Sequence, residues 1–153
     1  MNVLIAGATG VIGRQLVPML IDAGDDVTVL ARADRSEAPP GVRLVRAGAF
    51  DREAVSAAVR QVDPEAIVDL RTAIPRQLDP RRFEEEMALT NRLRTEATSI
   101  LTHACDPRTR FISQGLAFAY RPSGTTPAKE NDVLWTDGPR PFRPTPLSGL
   151  PDR

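Results

Sequence analysis

Gly7, Gly10 and Gly13 stand three residues apart, directly after the apolar run Val3 to Ala6 and directly before an amphipathic pattern of helical period. A strand that turns through glycines into a helix presents unpaired N–H groups and the positive end of the helix dipole, an arrangement that suits a phosphate. Gly7 is placed for the tight turn, Gly10 for close approach of a pyrophosphate, and Gly13 for contact between the helix and the strand. The candidate binding set is therefore Gly7, Thr9, Gly10, Val11, Ile12 and Gly13. The spacing is G-x-x-G-x-x-G, where the commoner fingerprint is G-x-G-x-x-G, and a tight strand-to-helix turn with no ligand is the plain alternative.

The elements that must hold this turn can be read from periodicity. Val3–Ala6, Val27–Ala31, Val42–Val45, Ala66–Leu70 and Arg110–Ile112 read as strands, and the continuous apolar character of the first suits a parallel strand covered on both faces. Val11, Ile12, Leu16, Met19, Leu20 and Ala23 recur at helical spacing, which predicts a helix from Gly10 to Ala23. Pro18 lies inside it, at the cost of a bend or a lost backbone bond, and Gly24 is placed as its C-terminal cap. Asp51 is placed to cap a second helix carrying Ala54, Val55, Ala58 and Val59. A third and longest helix is expected over Phe83–Ala104, with Met87, Leu89, Leu93, Ala97, Ile100, Leu101 and Ala104 buried. Ala33–Gly41 and Arg71–Pro80 read as loops. Strands alternating with helices predict a doubly wound α/β domain, with parallel strands in the order 3-2-1-4-5 and the ligand crevice at the switch between the first and fourth strands. The domain is expected over residues 1–120. From residue 121 to 153 Pro, Gly and Thr dominate, which predicts an irregular tail, with Trp135 placed to pin part of it.

The 153 residues suffice for one domain with its own core, and 20 basic against 20 acidic residues give no pull toward nucleic acid or membrane. Cys105 is the single cysteine and His103 the single histidine, which excludes an internal disulfide and the usual cysteine or histidine metal sites. Either residue acting as a catalyst lacks a base–nucleophile constellation around it. Glu84, Glu85 and Glu86 read as a first helical turn that complements the dipole. No basic leader precedes Val3 and no apolar run reaches membrane-spanning length, so a cytoplasmic location is expected.

Gly-Ala-Thr-Gly-Val-Ile-Gly after a first-residue strand resembles the extended short-chain dehydrogenase/reductase group, of the NAD-dependent epimerase/dehydratase type. The resemblance runs over roughly residues 1–120. Asp51 sits where that family has an acidic residue after its third strand, and Thr72-Ala73 where a small pair follows the fourth. Asn91 and Thr95 resemble the family's Asn-x-x-Gly-Thr, and Arg110-Phe-Ile-Ser113 its fifth strand. The resemblance implies a Rossmann-like fold and an NAD or NADP cofactor held by the glycine turn, Arg32, Asp51, Thr72, Ala73 and Asn91. It implies that Thr72 and Ala73 lie on the nicotinamide side and that Asn91 ties down a strand beside the active site. Ser113 and Tyr120 are the candidates for catalysis, and no metal is expected. Arg32, with Arg35 nearby, stands where an acid would hydrogen-bond the ribose and oppose a 2′-phosphate, which tilts the expectation to NADP. An ordinary solvated arginine is the alternative.

The departures are specific. The third strand leads to Gly48-Ala49-Phe50 where the family has Gly-Asp-Leu, and the serine region reads Ser113-Gln114-Gly115. The family's Tyr-x-x-x-Lys pair is absent: Tyr120 is followed four residues on by Gly124, and Lys129 is the only lysine. The expectation is the cofactor-binding half of such an oxidoreductase; the alternative is a non-catalytic nucleotide-sensing or interaction module. The fifth strand is expected to leave an open edge, so self-association through it or through the long helix is anticipated.

Overall fold

The β-branched and aliphatic runs of the chain pair side by side into one parallel sheet. The structure is a computed structural model and describes residues 1–32, 40–115, 120–121, 124 and 126–138. Strands β1 (Asn2–Ala6), β2 (Asp26–Ala31), β3 (Arg43–Arg46), β4 (Ala66–Asp69) and β5 (Arg110–Ser113) lie in the order β3-β2-β1-β4-β5, all parallel, as the alternation of strands and helices predicts. Helix α1 (Gly13–Asp22) covers one face, where Val3, Ile5, Val27, Val29 and Val68 meet Val17. The other face, with Leu4, Ala6, Leu30, Val45 and Ile67, packs on α2 (Arg52–Val62) and α4 (Thr98–Ala104). β1 is central and buried on both sides, as its unbroken apolar run requires.

Local chemistry sets the ends. Helix α1 closes in a Schellman turn: Gly24, at φ +81°, donates its N–H to the Ile21 carbonyl, and Asp25 donates to that of Leu20. The helix passes through the exposed Pro18, which lacks the N–H that would bond Arg14. It begins at Gly13 rather than Gly10, because residues 10–12 complete the turn. Asp51 caps α2, its Oδ1 accepting from the Ala54 N–H at 3.0 Å.

The expected long helix is three pieces: α3 (Phe83–Arg92), a π-helical turn over Leu93–Ala97, and α4. Met87, Ala97, Ile100 and Leu101 are buried as expected, but Leu89 is 50% exposed. Residues two apart lie about 200° apart around a helix, so Leu89 cannot share the face of Met87. Thr90 takes the buried place instead. β5 pairs with β4 only, and its Ile112 is exposed, so among the described residues its outer side has no strand partner. Beyond it, Tyr120 forms an antiparallel bridge with Leu134, and Gly138 packs so closely on Trp135 that an added Cβ would fall 2.6 Å from the ring. Residues 33–39, including Arg35, and 139–153 lie outside the described residues. No helix among the described residues is long and apolar enough to cross a membrane.

Candidate functional site

Parallel strands end together, so everything that follows their C-terminal ends meets along one edge of the sheet. Ala6 is in register with Leu30 and with Asp69, and Asp69 with Ser113. The glycine turn after β1, Arg32 after β2, the Leu70–Ala73 segment after β4 and Ser113 at the end of β5 therefore leave the sheet at the same edge. The switch in strand order lies between β1 and β4.

Each glycine of the turn has a separate cause. Gly7 has φ +92°, and a Cβ there would fall 2.7 Å from the Leu70 carbonyl carbon and 2.9 Å from the Arg71 nitrogen, so the turn lies against the backbone that leaves β4. At Gly13 a Cβ would fall 2.5 Å from Ala8 Cα and from the Ala8 and Gly7 carbonyl oxygens. Gly13 thus lets α1 press on the turn itself, just beyond the strand. Gly10 has only the Gly7 oxygen near, at 3.3 Å from a virtual Cβ, and is otherwise open. The Gly10 N–H is taken by the Gly7 carbonyl at 3.0 Å, and the helix ladder begins with the Arg14 N–H on the Gly10 carbonyl. Among the described residues, the N–H groups of Val11, Ile12 and Gly13 have no hydrogen-bond acceptor. They are the orphan donors of a helix N-terminus, beneath exposed Thr9, Gly10, Val11 and Ile12.

The other candidate residues have distinct surroundings. Arg32 is exposed. Asp51 is exposed and uses one carboxylate oxygen as the cap of α2. Thr72 is exposed and Ala73 half-buried. The bond that ties this segment to the long helical run comes from Thr90, whose Oγ1 accepts from the Ala73 N–H at 3.0 Å, while the neighbouring Asn91 is exposed. Arg92 lies 3.8 Å over the Phe50 ring and pairs with Glu96, joining the end of α3 to the turn before α2. Ser113 is exposed, and Tyr120 is half-buried in its bridge with Leu134. Lys129 lies in an exposed turn, its N–H bonded to Asp132. The Cys105 thiol donates to the Leu101 carbonyl, and burial pushes its pKa up to about 11; His103 Nδ1 lies 2.7 Å from the Ser99 carbonyl oxygen. Desolvation lowers the pKa of the half-buried Arg94. No group of three metal-ligating side chains occurs among the described residues.

Four polar residues not singled out from sequence sit directly below this edge. Asp69 is buried and pairs with Arg71 through two contacts of 2.7 Å, while Thr98 donates to Asp69 Oδ2 at 2.9 Å. Thr90 is the fourth, through Ala73. The signal was a carboxylate closing the apolar run Ala66-Ile-Val-Asp69: a charge in a strand covered on both faces needs a partner.

A model of the NAD dependent epimerase/dehydratase family matches residues 3–139. The chain belongs to this family. The match runs past residue 120, where the sequence resemblance ends. A curated relative, the 3-diazoavenalumate denitrifying reductase of a Streptomyces species, is 43% identical over 143 residues, a match that covers 92% of this chain and 46% of that one. Among solved structures, a UDP-glucose-4-epimerase from Stenotrophomonas maltophila with bound NAD matches with a TM-score of 0.72 at 17% identity, over 93% of this chain and 44% of that one. A UDP-glucose 4-epimerase from Thermus thermophilus in complex with NAD matches with a TM-score of 0.70 at 23% identity, over 93% and 46%. The chain therefore spans under half the length of these relatives, and the distant structures share its fold.

Proposed function

We propose that this epimerase/dehydratase-family chain binds a nicotinamide dinucleotide and serves as the cofactor-holding part of a reductase. The observation that carries the reading is the row of unpaired N–H groups at Val11, Ile12 and Gly13, set above an open Gly10 at the β1–β4 switch. Such donors, with the dipole of α1 behind them, neutralise a pyrophosphate without a cationic side chain. The adenosine half then extends toward the end of β2 and the nicotinamide half toward the end of β4. Thr72 and Ala73 flank the nicotinamide, Ser113 borders the substrate side, and Asp51 and Asn91 line the outer walls. Arg32 meets the adenosine ribose, where a guanidinium favours a 2′-phosphate and so NADPH.

A reductive reaction is favoured over sugar epimerisation because the 43%-identical relative is a reductase, whereas the epimerases share 17% and 23%. Isothermal titration with NADH and NADPH tests the reading; heat of binding to neither would overturn it. The second reading, a module that binds nucleotide without turnover, rests on Tyr120, whose fourth following residue is Gly124 rather than a lysine.

A further inference from the structure

The β4 end of the crevice is held by a buried charge network, and its composition bears on what it does. The Asp69 side chain is 3% exposed and that of Arg71 11%. Arg71 Nε donates to Asp69 Oδ1 and Nη2 to Oδ2, each at 2.7 Å; Nη2 also donates to the Ala97 carbonyl at 3.0 Å, and the Arg71 N–H to Oδ1 at 3.2 Å. Thr98 adds its hydroxyl to Oδ2 at 2.9 Å and also reaches the Leu93 carbonyl at 3.2 Å. Ala97 and Leu93 bound the π-helical turn, and the Thr98 N–H closes that turn onto Leu93. A π turn inserts a residue into a helix and recurs at functional positions. Here it brings Ala97 and Thr98 together against the strand end.

Stability alone does not account for this network. Arg71 Nη1 is buried without a partner, and removing two charges from water costs about as much as their attraction returns. A well-packed apolar pair would hold the core as well. The network's distinct effect is registry: it fixes the backbone from Asp69 to Ala73, which Thr90 anchors again at the Ala73 N–H and which lies against Gly7.

We propose that Asp69, Arg71 and Thr98 are positioning residues, which lock the π turn onto the end of β4 and so place the Leu70–Ala73 wall for the nicotinamide half of the cofactor. The proposal rests on the cofactor reading above. Within that reading ADP uses only the glycine turn and the β2 end, whereas NADH also uses the wall that the network holds. The two ligands therefore separate placement of the wall from general damage to the fold.

The test titrates wild type and Asp69→Leu/Arg71→Met with ADP and with NADH, after urea unfolding has compared the two proteins. The charge-free pair should fold, keep ADP affinity within about twofold and lose about tenfold in NADH affinity, the equivalent of one hydrogen bond's placement. Thr98→Val removes a single hydroxyl and should shift the same ratio in the same direction by a smaller factor. Arg71→Lys should not restore it, because an ammonium lacks the fork that bridges Asp69 and Ala97. Equal losses for ADP and NADH, or no loss for either, would overturn the positioning role while leaving the cofactor reading intact. A wild-type chain that binds neither ligand would overturn the cofactor reading, and this inference with it.

Discussion

Gly13 and Gly10 stand three residues apart in one turn, and the structure assigns them opposite sensitivities. A Cβ at Gly13 would meet three backbone atoms at 2.5 Å, against an ordinary carbon contact of about 3.5–4.0 Å. None of these atoms is the end of a flexible side chain, so Gly13→Ala must lift the first turn of α1 by on the order of 1 Å, a displacement set by that contact distance. Overpacking of this kind costs about 1–3 kcal/mol, offset by up to about 1 kcal/mol because alanine is the better helix former. The net loss, up to about 3 kcal/mol, lowers the Tm of a domain this size by about 2–4 °C for each kcal/mol. Gly10→Val instead meets one oxygen at 3.3 Å and projects into open space. It should leave the melting transition close to wild type while abolishing dinucleotide binding, since the branched side chain occupies the approach to the Val11–Gly13 donors. Thermal melts and NADH titrations of both variants give a crossed pattern. A Gly13→Ala protein as stable as wild type, or a folded Gly10→Val protein with wild-type affinity, would refute the reasoning.

Arg32→Ala should remove a preference for NADPH over NADH of about tenfold, the scale of one charge-assisted contact; equal affinities in the wild type would dispose of that preference. Burial raises the Cys105 pKa from 9.0 to about 11, so the stability it contributes is fully present below pH 9 and is lost as pH rises toward 11. Its thiol should also react with a disulfide reagent at pH 8 far more slowly in the folded than in the urea-unfolded chain, and equal rates would contradict its burial. The outer side of β5, unpaired among the described residues, and exposed Leu89 and Ile112 predict concentration-dependent self-association; a monodisperse monomer at high concentration by light scattering would count against it.

Strand order and the glycine turn were legible because both rest on short-range patterns that the whole sheet reinforces. Runs such as Val3–Ala6 leave one arrangement for a strand covered on both faces, and right-handed crossovers do the rest. The long helix was misread at Leu89 because apolar residues there serve no single face, and its π turn leaves no mark in a propensity scale. The Thr90 tie to Ala73 was missed for a similar reason: Asn91 carries the family resemblance, but the helical phase buries its neighbour. The Asp69–Arg71 pair spans strand end and loop, two residues apart, where neither strand nor helix period applies. What marks such a pair in a sequence is the cost of an unpaired charge at a position that pattern declares buried.

Binding and turnover make separate demands on this chain. The glycine turn supplies its donors from backbone alone, so it works wherever strand, turn and helix are held. Hydride transfer to a carbonyl leaves a developing alkoxide, which requires a placed proton donor. A tyrosine with an unperturbed pKa near about 10 needs a cationic neighbour to serve at neutral pH. Tyr120 sits in an antiparallel bridge, and Gly124, at φ +71°, adopts a conformation that a right-handed helix does not contain. The two therefore cannot present the one-turn spacing that a helix gives a tyrosine and a lysine. Lys129 is exposed, its own N–H engaged with Asp132. Under the cofactor reading, the described residues offer backbone donors for a dinucleotide but no tyrosine–lysine pair for the proton, and the chain alone should bind cofactor while turning over aldehydes and nucleotide sugars negligibly. Robust turnover that disappears in Tyr120→Phe would show that the tyrosine acts without such a partner, and would overturn this separation.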